Sequence, residues 1–128
     1  MARFDTLHGL RVVADPTAID SVVTALPSGV TVLRIAPDDL LLIGYIGPLS
    51  CSDSHAIIET DLGFSRAWFT RTEFDQIVRP HMEWAMPPDG RLGQGLIAGV
   101  GSKVHIDNAT VLVVCPTAFV HELEGRLG

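Results

Sequence analysis

The apolar positions of the chain fall into two rhythms. Val111–Cys115 (VLVVC) is apolar at every position, and Leu10–Ala14 (LRVVA), Val30–Ala36 and Leu40–Tyr45 are rich in β-branched and aliphatic residues. These runs predict strands, and an unbroken one predicts a strand covered on both faces. Elsewhere the apolar residues recur at helical spacing. Ile19, Val22, Val23 and Leu26 form one stripe, Phe74, Ile77 and Val78 a second, and Phe119, Val120, Leu123 and Leu127 a third. Each predicts an amphipathic helix with one face buried.

Turn and cap residues set the limits of these elements. Residues 1–9 read as a loose start. Asp15 caps the first helix, Pro16 takes its first position without losing a bond, and Pro27 with Gly29 stops it. Pro37-Asp38-Asp39 is an acidic, exposed turn between two strands of a hairpin. Gly47–Ser54 (GPLSCSDS) is a linker by its Gly, Pro and Ser content, Ala56–Glu59 a short strand, and Asp61–Gly63 a turn. Ser65–Thr70 predicts a strand, followed by a helix capped by Thr72 with Asp75 three residues on. Pro80 ends that helix near Arg79, leaving His81–Met86 as a separate turn before the loop Pro87-Pro88-Asp89-Gly90. Leu96–Ile106 then predicts one long strand, turned at Asp107–Thr110 into Val111–Cys115. Pro116 closes the strand, and Thr117 caps a helix over 117–127.

Laid over each other, the two halves agree. RVVADPTAIDSVV and AWFTRTEFDQIV are both strand, cap and short helix, and VTVLRIAPDDLLLIG and IAGVGSKVHIDNATVLVVC are both hairpins. The fold expected is a single α+β domain over residues 1–128. Duplicated β-α-β-β units at 10–45 and 65–115 would form a mixed, mostly antiparallel sheet with helices packed on it, related by a pseudo-twofold.

Composition narrows the function. The length suits one core. Hydrophobic residues make up 47% and charged residues 19%, an apolar balance that leans towards a protein partner covering part of the surface. A net charge of −6 argues against nucleic acid and against an anionic membrane. There is no apolar leader at the start, and the longest apolar stretch is too short to span a bilayer, so the expectation is a cytoplasmic protein. Cys51 and Cys115 read as reduced thiols.

Candidate chemistry is sparse. Gly95, Gly99 and Gly101 before Ser102-Lys103 miss the spacing and context of a phosphate loop, and fit a bulge or close backbone approach better. His8, His55, His81, His105 and His121 share no metal-ligand spacing, and His105, between two strand apolars, points outward. Ser50–His55 gathers hydroxyls, a thiol, an acid and an imidazole, but neighbours in sequence rarely make a triad. Asn108-Ala109-Thr110 matches a glycosylation pattern yet reads as turn chemistry. Trp68 and Phe69 lie on opposite faces of a strand, one in the core and one partly exposed. Met82, Trp84 and Met86 are the candidate interface, an apolar edge beside the 87–90 loop; folding under that loop into the core is the competing placement.

Three stretches carry a family resemblance. VLRIAPDDLLLIG (Val32–Gly44) is similar to a segment of the γ subunits of heterotetrameric sarcosine oxidase. AIIETDLGFSRAWFTRTEFDQIV resembles that family's acidic strand, aromatic strand and short helix. QGLIAGVGSKVHIDNATVLVVCPTAFVHELEGRL resembles its closing hairpin and helix. The γ subunits group with the folate-binding domain of the glycine-cleavage T-protein, so the resemblance implies a duplicated α+β unit. The T-protein's acid motif has no counterpart in Gly99–Lys103, and the Lys-Gly-Cys signature of the iron–sulfur-linked relatives is missing. No catalytic residue carries over. The resemblance thus implies a non-catalytic accessory or scaffold subunit with a larger protein partner. A stand-alone pterin- or folate-binding protein, or a small folate-dependent enzyme, is the second reading, with folate as its cofactor. A self-associating homo-oligomer of unknown role is the third.

Overall fold

The computed structural model describes residues 3–45 and 47–128. In chain order the elements are β1 (Asp5–Thr6), β2 (Gly9–Val13), α1 (Pro16–Ala25), β3 (Thr31–Ala36), β4 (Asp39–Ile43), β5 (Ile57–Asp61) and β6 (Phe64–Thr70). There follow α2 (Arg71–Ile77), a 3-10 turn at Arg79–His81, β7 (Leu92–Ile97), β8 (Val100–Asp107), β9 (Thr110–Pro116), a 3-10 turn at Thr117–Phe119 and α3 (Val120–Leu127). The chain is α+β. It divides into two compact units, one of His8–Asp61, the other of Leu62–Gly128 with the chain up to Leu7.

The His8–Asp61 unit is a four-stranded sheet in the order β3-β4-β2-β5, with every pair antiparallel. Helix α1 starts where expected: the Asp15 side chain accepts from Thr17 N at 3.2 Å, and Pro16 opens the helix. Its stripe of Ala18, Ile19 and Val22 packs with Val12, Ala14, Leu40 and Leu42. Leu33 and Leu41 project from the other face of the sheet and are also fully buried. Leu40, Leu41 and Leu42 are therefore covered on both faces, as an unbroken apolar run requires.

The second unit is a five-stranded sheet in the order β1-β6-β9-β8-β7, again antiparallel throughout. Its core joins Phe74 and Val78 from α2's end and Leu123 from α3 to Ala67, Phe69, Val104, Ile106, Val111 and Val113. Phe69 is the buried member of the aromatic pair, and Trp68 is 42% exposed. Val111–Cys115 is buried at every position.

Several expectations need correction. The sheet is not mixed. In each unit the return strand of the hairpin pairs with the first strand, β4 with β2 and β9 with β6. The strands joined by the helix crossover are thereby kept apart, so no parallel pair arises. The strand expected over Leu96–Ile106 is two strands, because Ala98 and Gly99 turn the chain with φ of 49° and 81°. Two successive positive-φ residues make the tight hairpin turn that matches strand twist. Residues 1–9 are not all loose, since Asp5 and Thr6 pair with Arg66 and Ser65. The second helix is capped by Thr70, not Thr72: its hydroxyl accepts from Glu73 N, and the Glu73 carboxylate accepts from Thr70 N at 2.9 Å. Thr117 caps nothing; its hydroxyl meets that of Ser65 at 2.9 Å. Asp39 is not an exposed turn residue but the first residue of β4.

Candidate partner-binding surface

The segment after α2 folds back along the edge of β7. Met82 forms an antiparallel bridge with Ile97, and Ala98 N donates to His81 O at 3.0 Å. Trp84 then lays its indole across β7, where its Nε1 donates to Leu96 O at 2.8 Å. Gly93 and Gly95 make this possible. A Cβ on Gly95 would lie 2.6 Å from the indole, and one on Gly93 would lie 2.8 Å away. Close approach is thus the reason for glycine at 95, while Gly101 has open space around it.

Met82, Trp84 and Met86 are half-buried and pack against the core of their own unit. The residue beside them that does project is Leu96, 60% exposed. Between them opens a cleft of about 590 Å³, lined by His81, Glu83, Trp84, Leu96, Ala98 and Gly99. Its turn is fixed from behind, since Arg126 Nη1 donates to Ala98 O at 2.7 Å. The cleft thus offers an apolar flank, one acid and one imidazole on a rigid rim.

Two other concavities are smaller. Beside Arg3 lies a cavity of about 60 Å³, lined by Phe4, Phe69, Ile77 and Leu127. The Arg3 guanidinium covers the Phe69 ring at 4.7 Å, and Arg3 N donates to Glu124 at 2.6 Å. The depression at His8, Leu10, Tyr45 and Thr60 is about 290 Å³. Among the described residues no group of three His, Cys, Asp or Glu side chains could hold a metal ion.

The remaining candidates have structural employment. Asp53, the acid of the Ser50–His55 cluster, accepts from the backbone N–H of Asp15 and of His55, each at 2.9 Å. Those bonds, that from Asp15 first, hold its carboxyl below the usual range, and they fasten the linker rather than prime a nucleophile. Ser102 donates to Val100 O, and Lys103 Nζ lies 5.0 Å from the Phe64 ring centre, so neither is arranged for a phosphate. Burial, with a lesser push from Glu124, raises the Cys115 thiol to about 11; Cys51 is half-buried. His105 does not simply point outward. It is half-buried, and its Nδ1 has no hydrogen-bond partner among the described residues.

Sequence reading missed one polar cluster. Arg11 on β2 grips Asp39 of β4 through two nitrogens, Nη2 at 2.6 Å, and Asp61 of β5 through Nη1 at 3.0 Å. The bond to Asp39 is the chief reason the guanidinium holds its proton more tightly than usual. The signal available was one charged residue in each of the otherwise apolar strands β2 and β4; Asp61 shares β5 with Glu59 and Thr60, and the register alone brings the three together.

No family model matches the sequence, and no curated protein matches it. Among the described residues no helix is long and apolar enough to cross a membrane. The fold, in contrast, is similar to one already solved. A chain of the heterotetrameric sarcosine oxidase from Corynebacterium sp. U-96, in complex with pyrrole 2-carboxylate, superposes with a TM-score of 0.74 at 12% identity. The match covers 98% of this chain and 80% of that chain. At so low an identity the likeness is one of architecture: the chain has the α+β fold of a chain from a heterotetrameric sarcosine oxidase.

Proposed function

We propose that this chain is a non-catalytic accessory subunit that docks onto a larger protein, in the manner of a sarcosine oxidase γ subunit. The observation that carries the reading is the fold likeness, which runs over 98% of the chain and matches a component of a heterotetramer only modestly longer than this one. The placement of the polar groups supports it. Asp53 and Ser102 are engaged in local hydrogen bonds, and the cleft at Trp84 has an apolar flank suited to protein side chains. On this reading Met82, Trp84 and Met86 form the rigid floor of a contact surface whose exposed point is Leu96.

Duplication of one module belongs to the same proposal. The order β3-β4-β2-β5 corresponds strand for strand to β8-β9-β6-β1, with β7 added. The strand that precedes each repeat in sequence pairs with the other repeat: β1 precedes β2 yet pairs with β6, and β5 precedes β6 yet pairs with β2. An approximate twofold between the halves is the expectation that goes with such a repeat.

The test is purification from the native cell under mild conditions, followed by size-exclusion chromatography with light scattering. A stoichiometric complex with a larger polypeptide is expected. A strictly monomeric chain without a partner at physiological concentration overturns the reading. The second reading is a pterin or folate ligand in the cleft, which Glu83 beside Trp84 favours. Calorimetric titration with tetrahydrofolate decides it, and no heat at millimolar ligand removes it.

A further inference from the structure

Four strands end the two sheets: β1, β7, β3 and β5. Folded proteins blunt such edges, because unpaired backbone groups template further strands. Three of these are blunted. Strand β1 has only two residues. The Met82 bridge and the Trp84 indole cover the end of β7. A register shift between Arg34 and Ala36 breaks β3.

Strand β5 has none of these devices. It runs five residues, Ile57 to Asp61, in unbroken register with β2. It contains no lysine, proline or bulge; its charges are the carboxylates of Glu59 and Asp61, and it is the last strand of the described sheet. Ile57 is 55% and Ile58 39% exposed, although they point to opposite faces of the sheet. The strand is also held rigid, since Arg11 ties Asp61 at its end to Asp39 two strands away. An edge of this kind, with two exposed isoleucines and its register fixed, binds an added strand at little ordering cost to itself.

Charge selects the occupant. Glu59 is exposed and makes no salt bridge among the described residues. A second copy fits badly. Antiparallel pairing about the strand's middle sets Glu59 against Glu59 and each isoleucine against Thr60 or Asp61. Like charges placed directly opposite destabilise a sheet, and a net charge of −6 per chain adds repulsion.

We propose that β5 is a strand-addition site for an extended segment of the larger partner, one carrying Lys or Arg opposite Glu59 and an aliphatic residue beside Ile57 or Ile58. This names the mode of docking and so rests on the accessory-subunit reading.

Two short synthetic peptides probe it directly, one alternating valine with lysine, the other valine with glutamate. NMR shifts and amide exchange are followed at residues 57–61. The lysine peptide should protect these amides and bind about fivefold more tightly than the glutamate peptide. Glu59→Lys should reverse the preference. Absence of protection at millimolar peptide, protection elsewhere, or equal binding of both peptides overturns the proposal. So does a dimer of the unmodified protein that Ile58→Lys dissolves, which would assign the edge to self-pairing.

The double variant Ile57→Lys/Ile58→Lys separates the two readings in the purified complex. Both side chains are exposed, so the variant should fold, as circular dichroism will verify. Loss of the partner from this variant alone supports β5 as the site. A partner retained as well as by the unmodified chain removes the strand site and leaves the subunit reading standing. A native chain without a partner, yet with peptide selectivity intact, removes the subunit reading and leaves the edge.

Discussion

Trp84 donates its indole N–H to the carbonyl of Leu96 across a strand that is glycine at 93 and 95. Three positions thus act as one unit: the ring can lie flat only because two side chains are missing. In a background carrying Trp68→Phe, Gly95→Ala should push the ring outward and shift its fluorescence to the red. The cost should be about 1–3 kcal/mol, typical of overpacking, measured by urea unfolding. An unshifted emission would show that the ring accommodates a methyl group without leaving its place.

Cys115 is a buried thiol raised to about 11 from an ordinary value of 9.0. A raised folded value means that the neutral thiol favours the fold. That contribution is whole below about pH 9 and is lost as the pH climbs towards 11, because the unfolded chain ionises first. Stability should therefore fall across that window, and Cys115→Ala should flatten the fall. Thermal melts from pH 8 to 11 read it. Under native conditions a thiol reagent should label Cys51 well before Cys115.

Asp53 has the opposite sign. Backbone N–H groups, that of Asp15 first, lower its folded value. Its contribution is present above the unfolded carboxylate value and disappears as the pH falls through the folded one. Asp53→Ala should be less stable than the unmodified chain at neutral pH, with the gap closing in acid. A gap of constant size from neutral to acid pH would assign the loss to something other than the carboxylate.

The two threonines at the start of α2 can be told apart. Thr70→Ala removes the side chain that accepts from Glu73 N and should cost about 1 kcal/mol by urea unfolding. Thr72→Ala lies inside the helix and should be close to neutral.

These two threonines mark a limit of what the sequence made legible. Thr70 with Glu73 matches the Thr-x-x-Glu capping box, and Thr72 with Asp75 only approximates it. That signal was legible, but Thr70 also reads as the last strand residue, and the pairing of β6 with β9 shows that it serves as both. Asp15-Pro16 had no rival, and α1 starts there. The apolar runs located the strands because burial on both faces leaves a mark in composition. Ala98 left no mark, since alanine at positive φ carries no local signal, and the turn there divided a strand that reads as continuous. Arg11, Asp39 and Asp61 were unreadable for a different reason: their meeting depends on the β2–β4 and β2–β5 registers, which no local pattern specifies. The surface at Trp84 was legible as apolar residues near a loop, but its rigidity comes from glycines on another segment.

The pairing of β1 with β6 has a consequence for synthesis. His8–Asp61 interrupts the other unit, so the chain emerging from a ribosome presents Asp5 and Thr6 long before their mate exists. The interrupting unit is contiguous and can close while the C-terminal half is still being made. The five-stranded sheet must wait for β9, and only then can the first few residues be stitched to its border.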